Sequence, residues 1–365
     1  MSRINKTKLH RTLLSWFCCH ARDLPFRRTK DPYSVWLSEI MLQQTQVKTV
    51  IPYYKRFIKK LPTLQALANA KLDTLLKLWQ GLGYYTRVKG LHKAAKIIVE
   101  KYDGKFPRDF KDVLALPGIG RYTAGAITSI ALGQRKAVLD GNVFRVLCRL
   151  YAIRGNFADT ETREKLWNIA EELLPGKNCG DWNQALMELG SEICAPRNPQ
   201  CGRCPVRRFC AAFEKGIQEV LPLRKNKKKA PHYTVAVAII FNQEGKILID
   251  KRRAEGFLGG LWELPGGKKQ RNETFKQAVQ REVLEETALR VEALEKLCVV
   301  KHAYSHFSIT LHTYLCKPLS GKARAITCQQ IQWIRPTELH RFAFPSGTMK
   351  IFECLKKNKS FPVCQ

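Results

Sequence analysis

Four cysteines stand within seventeen residues, in CAPRNPQCGRCPVRRFC, at Cys194, Cys201, Cys204 and Cys210, spaced C-x6-C-x2-C-x5-C. Four soft thiolates at such close range suit zinc or an iron–sulfur cluster, and the residue types alone leave both open. Two carboxylates suggest a different chemistry. Glu39 lies in VWLSEIML among Trp36, Leu37, Ile40, Met41 and Leu42, where burial would raise its pKa and let it act as a general acid. Asp140 precedes GNVFRVL, the expected start of a helix whose N–H groups would favour the charged form of a capping aspartate. One protonated and one ionised acid is the pairing that cleaves glycosidic bonds. Taken singly, a solvent-facing helix glutamate and a purely structural N-cap are the commoner readings. A third group, Glu282, Glu285 and Glu286, shares one helix face at i, i+3 and i+4, which suits Mg2+ or Mn2+ bound with a pyrophosphate.

Two differently textured parts of the chain have to position these groups. The 365 residues are more than one core usually serves. Residues 1–222 predict helix after helix: SVWLSEIMLQQTQVKTVIPYYKRFIKK, TLQALANAKLDTLLKLW, LHKAAKIIVEKY and TREKLWNIAEELL repeat apolar residues at three and four, with short Gly/Pro turns between them. The tract RKNKKKA, with five cations in six residues, predicts a basic linker over 223–230. From 231 to 365, TVAVAIIF and KILIDKR predict strands, TFKQAVQREVLEETA an amphipathic helix and KHAYSHFSITLHTYLC a further strand, together an α+β domain. LPGIGRYTAG (116–125) predicts a glycine turn that opens a helix and aims N–H donors and a positive dipole end at an anion.

Composition narrows the partner. Lys and Arg total 63 against 31 acids, a net charge of +32, which points to a polyanion. No apolar run reaches the length of a membrane span and no secretory apolar region stands near the start, so a cytoplasmic, nucleoid-associated protein is expected. Thirteen cysteines without a secretion signal favour thiolate ligands over a disulfide framework.

Several of these stretches agree on one family. The cysteine spacing with the preceding LPGIG hairpin resembles the endonuclease III superfamily of DNA glycosylases. SEIMLQQTQV, GLGYYTRVKGLHKAA, LPGIGRYTAGAI and LDGNVFRVLCRL are similar to the MutY-type adenine DNA glycosylases, over nearly all of residues 10–222. The resemblance implies an all-α helix-hairpin-helix domain over 1–222 whose loop 194–210 holds a 4Fe–4S cluster on its four cysteines. It implies that Gly118 and Gly120 clamp a DNA backbone phosphate. It makes Glu39 the acid that protonates adenine N7 and handles the water, and Asp140 the group that stabilises, or transiently bonds, the sugar C1′. Tyr122 and Asn142 match groups that hydrogen-bond in the same site. An adenine inside a duplex must be extruded to reach them. Gln44 and Tyr84 match residues that wedge into the stack, and Arg22, Leu24, Arg27 and Gln184 match the adenine pocket, with Phe26 in place of a frequent tryptophan. Strand-cutting relatives carry a lysine where Tyr122 stands, and a phenol cannot form a Schiff base. Base removal without strong strand cleavage is therefore expected, by a monomer, on duplex DNA with adenine opposite 8-oxoguanine or guanine.

The second domain follows the Nudix box G-x5-E-x7-R-E-U-x-E-E-x-G-U from Gly267 to Leu289, with Gly267, Glu273, Arg281, Glu282, Glu285 and Glu286 in place and Ala288 where glycine is usual. In MutY relatives this domain is Nudix-like, has generally lost those acids and reads 8-oxoguanine. Tyr304, Ser305 and His306 resemble the F-S-H loop that meets the damaged base. No Asp or Glu occurs between Glu295 and Glu338, where many Nudix hydrolases supply a further acid. A reader domain is therefore preferred over a bifunctional chain that also hydrolyses 8-oxo-dGTP with Mg2+, and over a glycosylase/AP lyase. Cys18, Cys19, Cys148, Cys179, Cys298, Cys316, Cys328, Cys354 and Cys364 receive no role and are expected to be small buried hydrophobes.

Overall fold

The computed structural model describes residues 4–223 and 230–357. The cationic run at 224–229 and Cys364 lie outside the described residues. Two compact units result: one from the residues up to Asn69 and from Lys89 onward to 223, the other from Ala70–Val88 and the residues from 230.

The helices are α1 (Lys6–His20), α2 (Pro32–Leu42), α3 (Val47–Lys60), α4 (Leu64–Asn69), α5 (Leu72–Trp79), α6 (Thr86–Lys101), α7 (Phe110–Leu114), α8 (Arg121–Ile130), α9 (Gly141–Leu150), α10 (Thr160–Glu172), α11 (Cys179–Glu192) and α12 (Ala211–Glu214). Two stretches expected to be continuous helix are broken. Chain reversal at Gln44, with φ of 55°, separates α2 from α3, and a short link separates α4 from α5. The helix α9 is buried along all of Val143–Leu150 and forms the centre of a core with Leu9 and Leu13 of α1, Leu166 of α10 and Trp182 and Leu186 of α11. Glycines let the helices approach: a Cβ at Gly190 of α11 would meet Asn142 at 2.6 Å, so this residue type is what allows α11 against the start of α9.

In the second unit, β1 (His232–Ile240), β2 (Ile247–Lys251), β3 (Trp262–Glu263), β4 (Gly266–Lys268), β5 (Arg290–Ala303), β6 (Ser308–Ser320) and β7 (Gln330–Ile334) are joined by α13 (Phe275–Thr287) and α14 (Ser346–Lys357). One sheet runs β4-β1-β6-β5, with β1 parallel to β6, and a second runs β3-β2-β7. The alternation of β1 puts Val237 and Ile239 into a core with Ile351, Phe352 and Leu355 of α14, and Ala236, Ala238 and Ile240 into a core with Ala278, Val279 and Val283 of α13. Burial on both faces explains its unbroken apolar run. The expected single strand over KHAYSHFSITLHTYLC is instead a hairpin, with β5 and β6 meeting at the turn 304–307.

The hairpin LPGIG joins α7 to α8. Ile119 is buried at 7% exposure and anchors the turn, while Gly118 and Gly120 on either side of it are exposed. Gly118 has φ of 79°, a conformation that favours glycine. Its substitution by Ala should cost about 1–2 kcal/mol from left-handed strain, with Gly118→Asn losing clearly less. Thermal melts of the two variants check this, and equal melting temperatures would refute it.

Candidate active site

Glu39, Tyr122 and Asp140 line one cleft of about 700 Å³ in the first unit. Glu39 arrives on α2, a helix capped by Asp31, whose carboxylate accepts from Ser34 N at 2.9 Å, and buried from Val35 to Met41. Its carboxyl, on a residue 6% exposed, accepts from the Tyr122 hydroxyl at 2.6 Å. Tyr122 is the second residue of α8, so the hairpin that presents Gly118 and Gly120 also delivers the phenol to Glu39. Burial pushes the Glu39 carboxyl up to about 7, the Tyr122 bond opposes this, and the nearby Asp140 charge adds to it. Tyr122 itself is held far above its ordinary pKa by burial and by the two carboxylates, so it stays a neutral donor.

Asp140 is the N-cap of α9, as its sequence position implies: Oδ1 accepts from Val143 N at 2.7 Å and Oδ2 from Asn142 Nδ2 at 2.8 Å. One expectation needs correction. The cap does not lower its pKa, because burial raises it and outweighs the backbone bonds, the Asn142 amide and the Arg145 cation. The two acids still divide in the same sense. Asp140 has several partners that favour its charge; Glu39 has chiefly one phenol and faces the charge of Asp140. The partners therefore favour charge on Asp140 more than on Glu39.

Behind this pair, Arg145 bonds Asn142 Oδ1 at 2.9 Å, Gly190 O at 2.6 Å and Cys194 O at 2.7 Å, tying the cap of α9 to the cysteine loop. Arg22, Leu24, Arg27 and Gln184 all line the cleft, as do Gln44 and the buried Phe26. Glu188 was not apparent from sequence. It is 1% exposed and receives Arg22 Nε at 2.8 Å, Arg22 Nη2 at 2.7 Å and Arg27 Nη2 at 2.8 Å. Burial pushes its carboxyl up, yet these bonds hold it down to about 2. Its only sequence signal is its place one turn after Gln184 on α11. Among the described residues, the cleft is lined by no lysine.

Tyr84 belongs to the second unit, with φ of 48°, and its hydroxyl hydrogen-bonds that of Ser305. Ser305 and His306 are exposed at the tip of the β5–β6 turn, which Tyr304 N closes on Phe307 O at 2.8 Å.

Cys194, Cys201, Cys204 and Cys210 line one small cavity together with Arg149. Arg149 is 2% exposed; Nη1 donates to Cys194 Sγ at 3.2 Å and Ala195 O at 2.8 Å, Nε to Leu221 O at 2.9 Å, and Nη2 has no partner. A buried cation with an unsatisfied donor beside four thiols fits an anionic cluster of thiolates and iron.

The Nudix acids are engaged within their own unit. Arg281 Nη1 takes Glu282 at 2.8 Å and Glu285 at 3.2 Å, while Glu286 turns to accept from Gly266 N at 2.9 Å. Glu273 is also bound by Arg281, at 2.8 Å. Of the unassigned cysteines, Cys148, Cys179, Cys298 and Cys316 are buried as expected and Cys328 and Cys354 partly so, but Cys18 and Cys19 are exposed on the outer face of α1.

Comparison with known proteins accords with this geometry. The family model described as "HhH-GPD superfamily base excision DNA repair protein" matches residues 37–172, and that described as "NUDIX domain" matches 236–354. The adenine DNA glycosylase of Homo sapiens is 36% identical over 402 residues, spanning 95% of this chain and 73% of that one. That of Buchnera aphidicola (subsp. Acyrthosiphon pisum) is 37% identical over 349 residues, spanning 95% and 97%. A solved thermostable thymine-DNA glycosylase superposes with a TM-score of 0.52 and 32% identity, over 57% of this chain and 97% of its own. A non-covalent endonuclease III–DNA complex, at 22% identity and a TM-score of 0.50 over 59% of this chain and 100% of its own, shares the fold. With its helical glycosylase fold and Nudix-like unit, the chain belongs to the adenine DNA glycosylases of base-excision repair.

Proposed function

We propose that the enzyme acts on adenine opposite 8-oxoguanine or guanine in duplex DNA, and that Glu39 and Asp140 divide the work of breaking the C1′–N9 bond. The observation that carries this is the buried Glu39 carboxyl, bonded to Tyr122 and sharing a cleft with capped Asp140. The adenine swings out of the stack into the cleft. Glu39 gives its proton to N7, so that the bond's electron pair leaves with a neutral purine. Asp140 meets the positive charge that develops on the sugar. The ionised Glu39 then takes a proton from the water whose oxygen bonds C1′, leaving an abasic site and restoring the acid. Among the described residues no lysine lines the cleft, which supports base removal without strong strand cleavage.

The chain's net charge of +32 supports phosphate contacts along the duplex, with the exposed glycines of the hairpin offering backbone N–H groups to one phosphate. Action at the chromosome in the cytoplasm, by a monomer, completes the proposal. Among the described residues no helix is long and apolar enough to cross a membrane. The helical domain is assigned to 1–222, the linker to 223–230 and the lesion-reading domain to 231–365, with the Tyr304–Ser305–His306 turn meeting 8-oxoguanine. The Tyr84–Ser305 bond supports this, joining an expected wedge residue to the expected reading turn. The engagement of Glu282, Glu285 and Glu286 by Arg281 and Gly266 favours a reader over an 8-oxo-dGTP hydrolase. The four cysteines would hold a 4Fe–4S cluster, which supplies structure and a positively charged loop toward DNA rather than redox catalysis.

Four measurements test this reading. With duplex carrying adenine opposite 8-oxoguanine, strand breaks should appear only after hot alkali. Glu39→Gln should slow adenine release at least ~100-fold while duplex binding stays nearly unchanged; loss of both together would refute the acid role. The release rate should fall as pH rises through about 7, where Glu39 loses its proton. Tyr122 donates to the ionised form, so Tyr122→Phe should move that alkaline limb to higher pH, and a downward shift would contradict the assignment. Purified protein should carry about four irons per chain, and Arg149→Gln should lower that content; zinc in their place would refute the cluster.

A further inference from the structure

Phe157 carries an inference that the family assignment does not. Its ring is 49% exposed, and it lines the same cleft as Glu39 and Asp140. The other aromatic rings of the lining are differently committed: Phe26 is 8% exposed, and Tyr122 is bonded to Glu39. Single exposed apolar side chains are ordinary on a surface, but this ring lies in the cleft, where a ligand would cover it.

The fold fixes this ring in place. Phe157 sits in a turn where Asn156 Oδ1 accepts from Ala158 N at 2.9 Å and Asn156 O from Asp159 N at 3.1 Å. Asp159 then caps α10, and Gly155 O accepts from Leu223 N at 2.9 Å. From behind, Phe157 is braced edge-on by Phe144, with ring centroids 5.0 Å apart and planes at 70°. Phe144 is 1% exposed and stands one turn after Asp140 on α9. The helix that caps itself with the sugar-facing carboxylate thus also supports the exposed ring.

We infer that Phe157 is a positioning residue for base release: a flat apolar wall that holds the extrahelical deoxynucleoside beside Asp140. Aromatic faces hold nucleotides without reading their edges, so the wall sets position rather than base identity. The inference rests on the extrahelical reading above, and the test separates the two. A duplex carrying 2-aminopurine opposite 8-oxoguanine should gain fluorescence on binding the unmodified enzyme. Phe157→Ala should show a smaller gain and adenine release slower by about tenfold at saturating enzyme. Phe157→Tyr should restore both, and the pH profile should not move, because neither acid is touched. Should the alanine variant fail to fold, Phe157→Leu keeps apolar packing on Phe144 without a flat face and is expected to behave as predicted for alanine. A truncated variant with the unmodified gain and rate, or a tyrosine variant no better than alanine, overturns the role of Phe157. Absence of any gain with the unmodified enzyme overturns the extrahelical reading instead.

Discussion

The structure of the first unit is organised around a proton that cannot leave easily. Two carboxyl groups share a cleft, and burial raises the pKa of both. Like charges confined together in a poorly solvated site oppose joint ionisation. What decides the site of protonation is the count of donors. Asp140 has the free amides of a helix start, an amide side chain and a nearby guanidinium; Glu39 has a phenol. The asymmetry is built by helix geometry, and the chemistry follows from it.

That asymmetry makes α9 the central element. Its first residues cap and orient Asp140, and its buried body carries two arginines that point at the cysteine loop. Arg145 spans from Asn142 to Cys194 O, and Arg149 reaches Cys194 Sγ. Buried cations are costly unless paired or bonded. Their presence on this helix ties the order of the cysteine loop to the order of the acid pair. Glu188 plays a comparable part on the opposite wall, where its charge is offset by two arginines that would otherwise be free to turn away.

In the second unit the acids of the Nudix box bond to an arginine and to backbone. Glu282 and Glu285 neutralise Arg281, and Glu286 caps the backbone at Gly266. Nearby, Asp250 and Glu263 are cross-strand partners, with Glu263 bound twice by Arg252 at 2.6 and 2.7 Å. Burial and the neighbouring Glu263 and Glu286 push the Asp250 carboxyl far up, and burial and Glu263 push Glu286 up to about 8.

Much of this was legible in the sequence because local rules fix it. Apolar periodicity marked the helices; Asp140 before GNVF marked a cap; the buried setting of Glu39 followed from its neighbours on α2. The cysteine spacing and the glycine hairpin are short-range signals as well. Other features depend on chain segments that meet only after folding. The break at Gln44 comes from a left-handed residue within the polar stretch QQTQ, whose backbone turn no helical periodicity reports. The net direction of the Asp140 pKa depends on burial by distant helices, which no local motif reports. Glu188, 166 residues after Arg22, looks like an ordinary helix glutamate until α11 packs against the N-terminal segment. The Nudix box shows the reverse: its spacing is intact, but only tertiary packing decided that its carboxylates would face arginine and backbone. Sequence specifies which groups can ionise; the dielectric and the partners around them are properties of the assembled core.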